Sequence, residues 1–312
     1  AFYYLSNNTN TDTNTTGKST IIDFLLQQPD SKLNNKTIGD TKEQKSVDFN
    51  GCQKYTKLIH LLESNHNHET SLCAFYEYNP GQNLTLLKVA SDLSYVHSHL
   101  QSITGAQQMA ERYNYSLVVY LAQKSDYHPG RPHFSKIKGI ELALFALNYP
   151  WVFFTDLDFI YRPRSAVSVQ HTIDTAPSEA SLIIQRENVI CSCMHLWRNT
   201  NWTRDFLRQW WYLGVTKQCC PQHAFDQIAF QGLLANYTAL GLPLTQRRYQ
   251  KYGIAIRGSS NPNFYVTNDT LSGANWNFPR IQDPLFWHSG HQEWNNTVNM
   301  SATFEFVEQL PT

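Results

Sequence analysis

The stretch of sequence that decides the fold is WVFFTDLDFI, which runs from residue 151 to residue 160. Its four large apolar residues in a row predict a strand that is buried on both faces, as in the middle of a parallel sheet. Two acids, Asp156 and Asp158, follow that strand. Residues i and i+2 of an extended chain point to the same side, about 6.6 Å apart. Both carboxylates are therefore predicted to converge on one hard divalent cation.

The position of these acids favours a ligand site, because open α/β sheets bind ligands at the carboxyl ends of their strands. Two carboxylates there are costly to desolvate unless a metal or a cationic partner compensates them. The alternative is that Asp156 caps the following turn and Asp158 is solvated, since a bare D-x-D pattern is common. The chain has no G-x-x-x-x-G-K-[ST] or G-x-G-x-x-G loop. A metal is then the expected holder of a phosphorylated ligand.

Outside this stretch, short apolar runs alternate with segments of helical period, which predicts an α/β fold with a mostly parallel central sheet flanked by helices. The predicted strands are 72–78, 117–121, 151–155, 182–185 and 194–197, and the predicted helices are 95–113, 135–147, 202–213 and 225–234. Residues 1–50 are rich in Asn, Thr, Lys and Asp and are predicted to be a stem or linker. Residues 51–312 are predicted to form a single domain.

Composition excludes two classes of partner. The 312 residues include 25 Lys+Arg and 25 Asp+Glu without a basic run, so no nucleic-acid partner is expected. The longest apolar stretch, 142–154, is interrupted by polar residues and Pro150, and it is shorter than the roughly 18 to 20 residues of a membrane span. The start Ala1–Leu5 is compatible with a trimmed upstream signal anchor or with the first residues after a signal peptide. The oligomeric state is not predicted.

Glycosylation signals indicate the compartment. The chain has 25 Asn and 48 Ser+Thr, from which chance pairing gives about 4 Asn-x-Ser/Thr acceptor sites. The ten that occur are Asn7, Asn14, Asn35, Asn83, Asn114, Asn201, Asn236, Asn268, Asn295 and Asn299. We therefore predict an N-glycosylated protein of the secretory-pathway lumen, such as a Golgi type II ectodomain, or an extracellular protein.

Six cysteines, an even number, agree with an oxidising compartment and predict three disulfides whose connectivity the sequence leaves open. The neighbours Cys219 and Cys220 are badly placed to bridge each other, so each is predicted to reach elsewhere, most naturally to Cys191 and Cys193. A zinc site is the alternative, although the usual spacing between paired zinc ligands is absent.

Six short motifs then occur in an order that resembles glycosyltransferase family 34. They are AERYNY (110–115), HFSKIK (133–138), DLD (156–158), NTNW (199–202), FDQ (225–227) and WHSG (287–290). The family includes fungal galactosyl- and mannosyltransferases of mannan synthesis and plant xyloglucan xylosyltransferases. The likeness spans about residues 75–291, some two thirds of the chain.

The resemblance implies a GT-A fold, a UDP-sugar or GDP-sugar donor and a Mn²⁺ (or Mg²⁺) ion. Residue by residue, Asp156, Asp158 and the late His288 match the family's metal ligands. Asp226 and Gln227 match the pair that lines the acceptor side of the donor sugar, and they are the expected catalytic residues.

The remaining expected donor-binding residues are Lys136, Lys138, Trp287 and Gly290, together with Asp156. Both lysines would place positive charge near the diphosphate, although solvated charges at a helix start are an equally good interpretation.

Two departures from the family pattern stand out. The middle of Asp-Leu-Asp is apolar, and Phe225 stands where an acid is common. The local run DLDFIYRP (156–163) is also similar to glycosyltransferase family 77.

These residues suit sugar transfer, since a divalent ion neutralises the negative charge that develops on a departing diphosphate. We expect a metal-dependent glycosyltransferase, hexosyl or pentosyl, that acts on a glycan or glycoprotein acceptor; the resemblance suggests retention of configuration. The alternative is a catalytically inactive GT-A-like secreted protein that serves as a glycan-binding or structural component of an extracellular assembly.

Overall fold

The computed structural model describes residues 49–63, 73–122, 132–161, 168–185, 190–215, 225–237, 261–269, 271 and 286–288. The predicted stem up to residue 48, Gly290, Cys219 and Cys220 lie outside these residues. For Trp287 and His288 the description covers the backbone alone.

The described residues contain ten strands. They are β1 (Cys52–Tyr55), β2 (Cys73–Tyr78), β3 (Leu84–Ala90), β4 (Ser116–Ala122), β5 (Trp151–Thr155), β6 (Phe159–Tyr161), β7 (Leu182–Gln185), β8 (Met194–Arg198), β9 (Phe264–Thr267) and β10 (Phe286–His288). Eight of them form one sheet in the order β1-β2-β4-β3-β5-β8-β7-β9, and β6 pairs with β10 in a separate ribbon.

The centre of the large sheet is parallel, as predicted. Strand β3 pairs in parallel with β4 on one side and with β5 on the other. The pairs β1-β2 and β7-β9 are also parallel, whereas β2-β4, β5-β8 and β7-β8 are antiparallel. Every residue of β3 and β4 is buried, as expected of parallel strands that are covered on both faces. The predicted α/β class is confirmed.

Helices cover the sheet on both sides. The α-helices are Leu58–Glu63, Leu93–Ser98, Leu100–Tyr113, Ser135–Glu141, Val169–Thr175, Asn201–Val215 and Phe225–Tyr237, with short 3-10 turns at Phe49–Gly51 and Pro132–Phe134 and a π turn at Leu142–Ala146. One core includes apolar residues of helices 135–141, 201–215 and 225–237. The other, on the opposite face, includes residues of helices 93–98 and 100–113.

Two predicted helices differ from the observed ones, and one central strand was missed. The predicted helix 95–113 is two helices, because His99 leaves the helical region with φ −126° and ψ 25°. The predicted helix 135–147 ends at Glu141 and continues as a π turn. The central strand β3 was not predicted, since its sequence LTLLKVA carries a lysine in an otherwise apolar run.

The cysteine pairing also differs from the prediction. Cys52 bonds to Cys73, its register partner on the neighbouring strand, and Cys191 bonds to Cys193. The turn at residues 192–193 brings the Cα atoms of Cys191 and Cys193 to 5.1 Å, within the range of a disulfide. The predicted partnership of this pair with Cys219 and Cys220 is therefore wrong.

Within the described ranges, no helix has the length and apolar character that crossing a membrane requires.

Gly139 sets how closely the helix 135–141 approaches the sheet. A Cβ at this position would lie 2.5 Å from Val89 Cγ2 and 3.3 Å from Tyr120 Cδ1. We expect Gly139→Ala to lower the free energy of unfolding by about 1–3 kcal/mol through overpacking, measured by urea denaturation. The matched control is Gly105→Ala, whose Cβ would meet Tyr161 Cβ at 3.4 Å and which should gain up to about 1 kcal/mol of helix propensity. Equal stability of the two variants would contradict this packing.

Candidate functional site

The two acids of Asp-Leu-Asp lie in a turn rather than in an extended strand. Strand β5 ends at Thr155, and the Phe159 N–H donates to the Asp156 carbonyl at 3.2 Å. The expected side-by-side placement along a strand is therefore wrong. Leu157, between the acids, is 1% exposed and packs in the core, while Asp156 and Asp158 are half-buried. The apolar middle residue thus anchors a turn in which both acids are half-buried.

A buried lysine donates hydrogen bonds to the backbone of this turn. Lys88, in the middle of β3, is 1% exposed. Its Nζ donates to the carbonyls of Asp156 at 3.1 Å and Phe159 at 2.9 Å. The Ser102 hydroxyl donates to the same Phe159 carbonyl at 2.6 Å. These bonds satisfy carbonyls at both ends of the turn, which fixes its backbone.

The ribbon of β6 and β10 places the predicted late ligand beside the turn. His288 is the register partner of Phe159, the residue that follows Asp158, and Trp287 is the partner of Ile160. Partners in an antiparallel pair have Cα atoms about 4.5–5.5 Å apart. The backbone of His288 is therefore adjacent to the acidic turn.

Lys136 joins the turn to a second acid. Its Nζ lies 3.0 Å from Asp156 Oδ1 and 2.9 Å from Asp226 Oδ2, and it donates to the Ser192 carbonyl at 2.9 Å. The Lys136 side chain is 8% exposed, and that of Asp226 is 6% exposed. Burial alone would lower the pKa of Lys136, but the two carboxylates outweigh it and raise that pKa. The ammonium is therefore charged at neutral pH.

Asp226 lies near the start of the helix Phe225–Tyr237, and both its carboxylate and its backbone carbonyl accept hydrogen bonds. Its carboxylate accepts from the Ser192 hydroxyl at 2.6 Å, and its carbonyl accepts from Trp210 Nε1 at 2.9 Å. Burial raises the pKa of Asp226, but Lys136 and Ser192 outweigh burial and hold that pKa below its usual value. This buried carboxylate stays ionised at neutral pH.

Among the described residues, the acids of the cluster at this edge outnumber its cations. Asp156, Asp158 and Asp226 face Lys136 and Lys88. Burial lowers the pKa of Lys88 to about 7, although Asp158 and Asp156 oppose the shift. Burial also raises the pKa of Asp156, against the charge of Lys136. The cluster therefore carries surplus negative charge around neutral pH.

That surplus and the ligand chemistry fit a divalent cation. Carboxylate oxygens are the ligands that Mg²⁺ and Mn²⁺ prefer, and Asp156 and Asp158 would hold such an ion. Within the described residues, no group of three His, Cys, Asp or Glu side chains is arranged so that it could hold a metal ion by itself. The third expected ligand, His288, is placed by its backbone register alone.

A cavity of about 270 Å³ opens beside the cluster. It is lined by Val89, Ser91, Tyr95, Pro132, His133, Ser135, Lys136, Asp156 and Leu157. Burial raises the pKa of Tyr95, and the charges of Asp158 and Asp156 add to that effect. The tyrosine therefore presents a neutral hydroxyl close to the acids.

Not every predicted donor-binding residue lies beside this cavity. Lys138 pairs with Glu141 at 2.8 Å, and its Nζ lies 4.3 Å from the centre of the Trp211 ring. Because Lys138 and Lys136 are two residues apart on one helix, they face different ways. Gln227 is half-buried next to Asp226.

Three residues of this cluster were not predicted from the sequence: Lys88, Ser192 and His195. The signal for Lys88 was a lone charge at the centre of an apolar strand, which must find partners once it is buried. Ser192 reaches the site because the chain turns between Cys191 and Cys193. No sequence motif indicates such a role.

His195 is buried in a cluster of aromatic rings close to Lys136. It is 1% exposed, and the ring centroids of Phe154, Trp210 and Phe230 lie 5.1, 5.9 and 5.0 Å from its own. Trp197 Nε1 donates to His195 Nδ1 at 2.8 Å.

His195 should make the folded state sensitive to mild acid. Burial, with a smaller effect of the Lys136 charge, lowers the pKa of His195 from 6.5 to about 3. Between these values the unfolded chain binds a proton that the folded chain does not, so stability rises with pH and is fully present above about pH 6.5. From about pH 7 to about pH 5, the wild type should lose about 2 kcal/mol more than His195→Gln in urea unfolding. Equal losses would contradict a neutral, buried His195.

Comparisons with known proteins give a likeness of fold. No protein-family model and no curated protein matches this chain. A glycosyltransferase involved in glycosylation of the major capsid of PBCV-1 is 14% identical, with a TM-score of 0.46 over 73% of this chain and 99% of that chain. The galactosyltransferase LgtC, solved with donor and acceptor sugar analogs, is 10% identical, with a TM-score of 0.39 over 73% and 96%. Drosophila β1,4-galactosyltransferase 7, solved with manganese, UDP-Gal and xylobiose, is 12% identical, with a TM-score of 0.35 over 70% and 78%. Because these TM-scores are below 0.5, what the site does is inferred from its own residues.

Proposed function

We propose that this chain is a metal-dependent glycosyltransferase of the GT-A type, which moves a sugar from a UDP- or GDP-sugar to a glycan or glycoprotein acceptor with retention of configuration. The observation that carries the proposal is the Lys136 bridge between Asp156 and Asp226, beside a cavity at the carboxyl edge of the sheet. The order of the six sequence motifs supports membership of glycosyltransferase family 34.

The charge balance explains why a metal belongs in the proposal. A bare diphosphate would be repelled by the surplus of carboxylates, and a divalent ion held between the two would remove that repulsion. Asp156, Asp158 and His288 would hold the ion, which would neutralise charge on the departing diphosphate when bound. Lys136 lines the cavity and would share its ammonium with the phosphate oxygens.

Asp226 is suited to the donor sugar. Since Lys136 and Ser192 keep it ionised despite its burial, it would supply a fixed negative charge on the side of the donor sugar where the anomeric carbon would become positive. Gln227 adds an amide beside it. In the retaining reaction that we propose, the acceptor hydroxyl approaches on the leaving-group face and gives its proton to a phosphate oxygen.

The secretory location belongs to the same proposal. Acceptor Asn residues whose side chains the structure describes are all exposed: Asn83, Asn114, Asn201 and Asn268. Oligosaccharide attached at these positions would meet no packed core. The two disulfides are also of the kind that oxidising compartments maintain.

Titration of UDP and GDP into the protein, with and without Mn²⁺, tests the donor site. We expect one nucleotide to bind in calorimetry only when Mn²⁺ is present. Asp158→Ala should weaken that binding at least about 100-fold, or about 2.7 kcal/mol, because one of two carboxylate ligands is lost. The bound nucleotide then selects the sugars to screen for donor hydrolysis.

The matched control is Asp205→Ala, which removes an exposed aspartate on the helix Asn201–Val215 and should leave nucleotide affinity unchanged. Absence of binding by both nucleotides at millimolar concentration with Mn²⁺ would overturn the enzyme proposal. A glycan-binding or structural role would then be the one to test, by glycan-array binding without metal.

Glycosylation is tested by treating the protein from a eukaryotic secretory host with peptide-N-glycosidase in H₂¹⁸O. Each occupied Asn is converted to an ¹⁸O-labelled Asp, so peptide mass spectrometry counts the sites. We expect label at Asn83, Asn114 and Asn201, which are exposed. The internal control is Asn79, which lies outside any acceptor motif. A protein without label at any acceptor site would contradict the secretory location.

A further inference from the structure

The segment from Cys191 to Cys193 makes three contacts with the site. The Ser192 hydroxyl donates to Asp226 Oδ2 at 2.6 Å, and the Ser192 carbonyl accepts from Lys136 Nζ at 2.9 Å. The next carbonyl, of Cys193, accepts from the Asp156 N–H at 2.7 Å. One short segment therefore contacts all three members of the Lys136 bridge.

These contacts need one particular backbone path. The hydroxyl and carbonyl of Ser192 and the carbonyl of Cys193 all serve one buried cluster, so the chain must turn at residues 192–193 before β8 begins at Met194. The disulfide closes across that turn and encloses a single residue. It is therefore placed to fix the turn that aims Ser192.

General stabilisation does not account for this disulfide. The stability that a disulfide gives by restricting the unfolded chain grows with the number of residues it encloses. Cys52 and Cys73 are separated by 21 positions, but Cys191 and Cys193 are separated by two. The effect of the second bridge must be mainly local.

We propose that the Cys191–Cys193 disulfide makes Ser192 a positioning residue for the Lys136–Asp226 ion pair. Ser192 sets where the ammonium and the carboxylate stand, and the disulfide sets where Ser192 stands. The consequence for turnover rests on the proposed function, in which this pair faces the donor sugar, whereas the bond itself and the order of the site do not depend on that function.

Peptide mapping without reduction tests the bond. Trypsin cleaves after Arg186 and Arg198, which gives a peptide, 187–198, that contains both cysteines. We expect this peptide to be lighter than its reduced form by two hydrogen atoms and to be linked to no other peptide. Linkage to the peptide that carries Cys219 and Cys220 would overturn the proposal.

Turnover tests the consequence. In Cys191→Ala/Cys193→Ala, kcat for hydrolysis of the donor should fall about 10-fold, a larger factor than the loss of affinity for Mn²⁺ and nucleotide. Ser192→Ala should act in the same direction, and Ser192→Thr, which keeps the hydroxyl, should restore most of the loss. A double variant with unchanged kcat would overturn the proposal.

Two controls separate local from general effects. Cys52→Ala/Cys73→Ala removes the bridge between β1 and β2 and should lower the thermal midpoint while kcat is kept. A water-soluble phosphine should reproduce the loss of kcat in the wild type, since it reduces the disulfide to two thiols, takes oxygen from water and becomes the phosphine oxide. It should not lower kcat further in Cys191→Ala/Cys193→Ala.

Hydrogen exchange tests the positioning without any nucleotide. In Cys191→Ala/Cys193→Ala, amides of 151–161 and 225–237 should exchange at least about fivefold faster than in the wild type, because the Asp156 N–H and the Asp226 contacts lose their fixed partner. Amides of β4 should be unchanged. If no nucleotide binds to the wild type, the proposed function fails and this measurement alone decides the positioning role; equal exchange would refute it.

Discussion

The arrangement of the site depends on one buried ammonium. Lys136 Nζ lies within 3.0 Å of two carboxylates from distant parts of the chain. Buried charges cost several kcal/mol each unless they are paired and hydrogen-bonded. Without Lys136, Asp156 and Asp226 would repel each other in a poorly hydrated place. The helix that carries this lysine must therefore lie close to the sheet, and Gly139 permits that approach.

The order of strands in the sheet explains how these groups meet. β3 and β5 are parallel neighbours, so Lys88 on one strand lies under the turn that follows the other. β8 runs antiparallel to β5, which brings the residues just before its start to the place where β5 ends. Ser192 therefore meets Lys136 and Asp226 at the same edge. The sheet thus places the turn after β5 beside the segment before β8, where Lys136 contacts both and Asp226 contacts Ser192.

The sequence revealed the strands whose apolar runs are unbroken, and β5 and β7 were predicted with the bounds that the structure has. Strand β3 could not be predicted, because Lys88 interrupts its apolar run. The hydrogen-bond partners that make the burial of this lysine possible are far away in sequence. Asp156 and Asp158 were visible because two carboxylates after a buried strand are chemically unusual, whereas Asp226 was found through the resemblance of its motif. Ser192 and His195 were not visible, since a serine beside cysteines and a histidine in an apolar strand acquire their roles only from tertiary neighbours. Lys138 was grouped with Lys136 by proximity in sequence, but two positions on a helix are too few to share a face.

The cluster of aromatic rings around His195 affects the electrostatics of the site. Phe154 lies under the Lys136 ammonium at 5.4 Å from its ring centre and stacks on His195. These rings form a low-dielectric environment, which strengthens the attraction between Lys136 and its carboxylates because less solvent screens them. It also keeps His195 neutral. A positive charge on His195 would compete with Lys136 for Asp226, so the neutrality of this histidine leaves the lysine as the only cation that Asp226 contacts among the described residues. The same burial that makes His195 costly in acid thus preserves the charge pattern on which a metal and a diphosphate would depend.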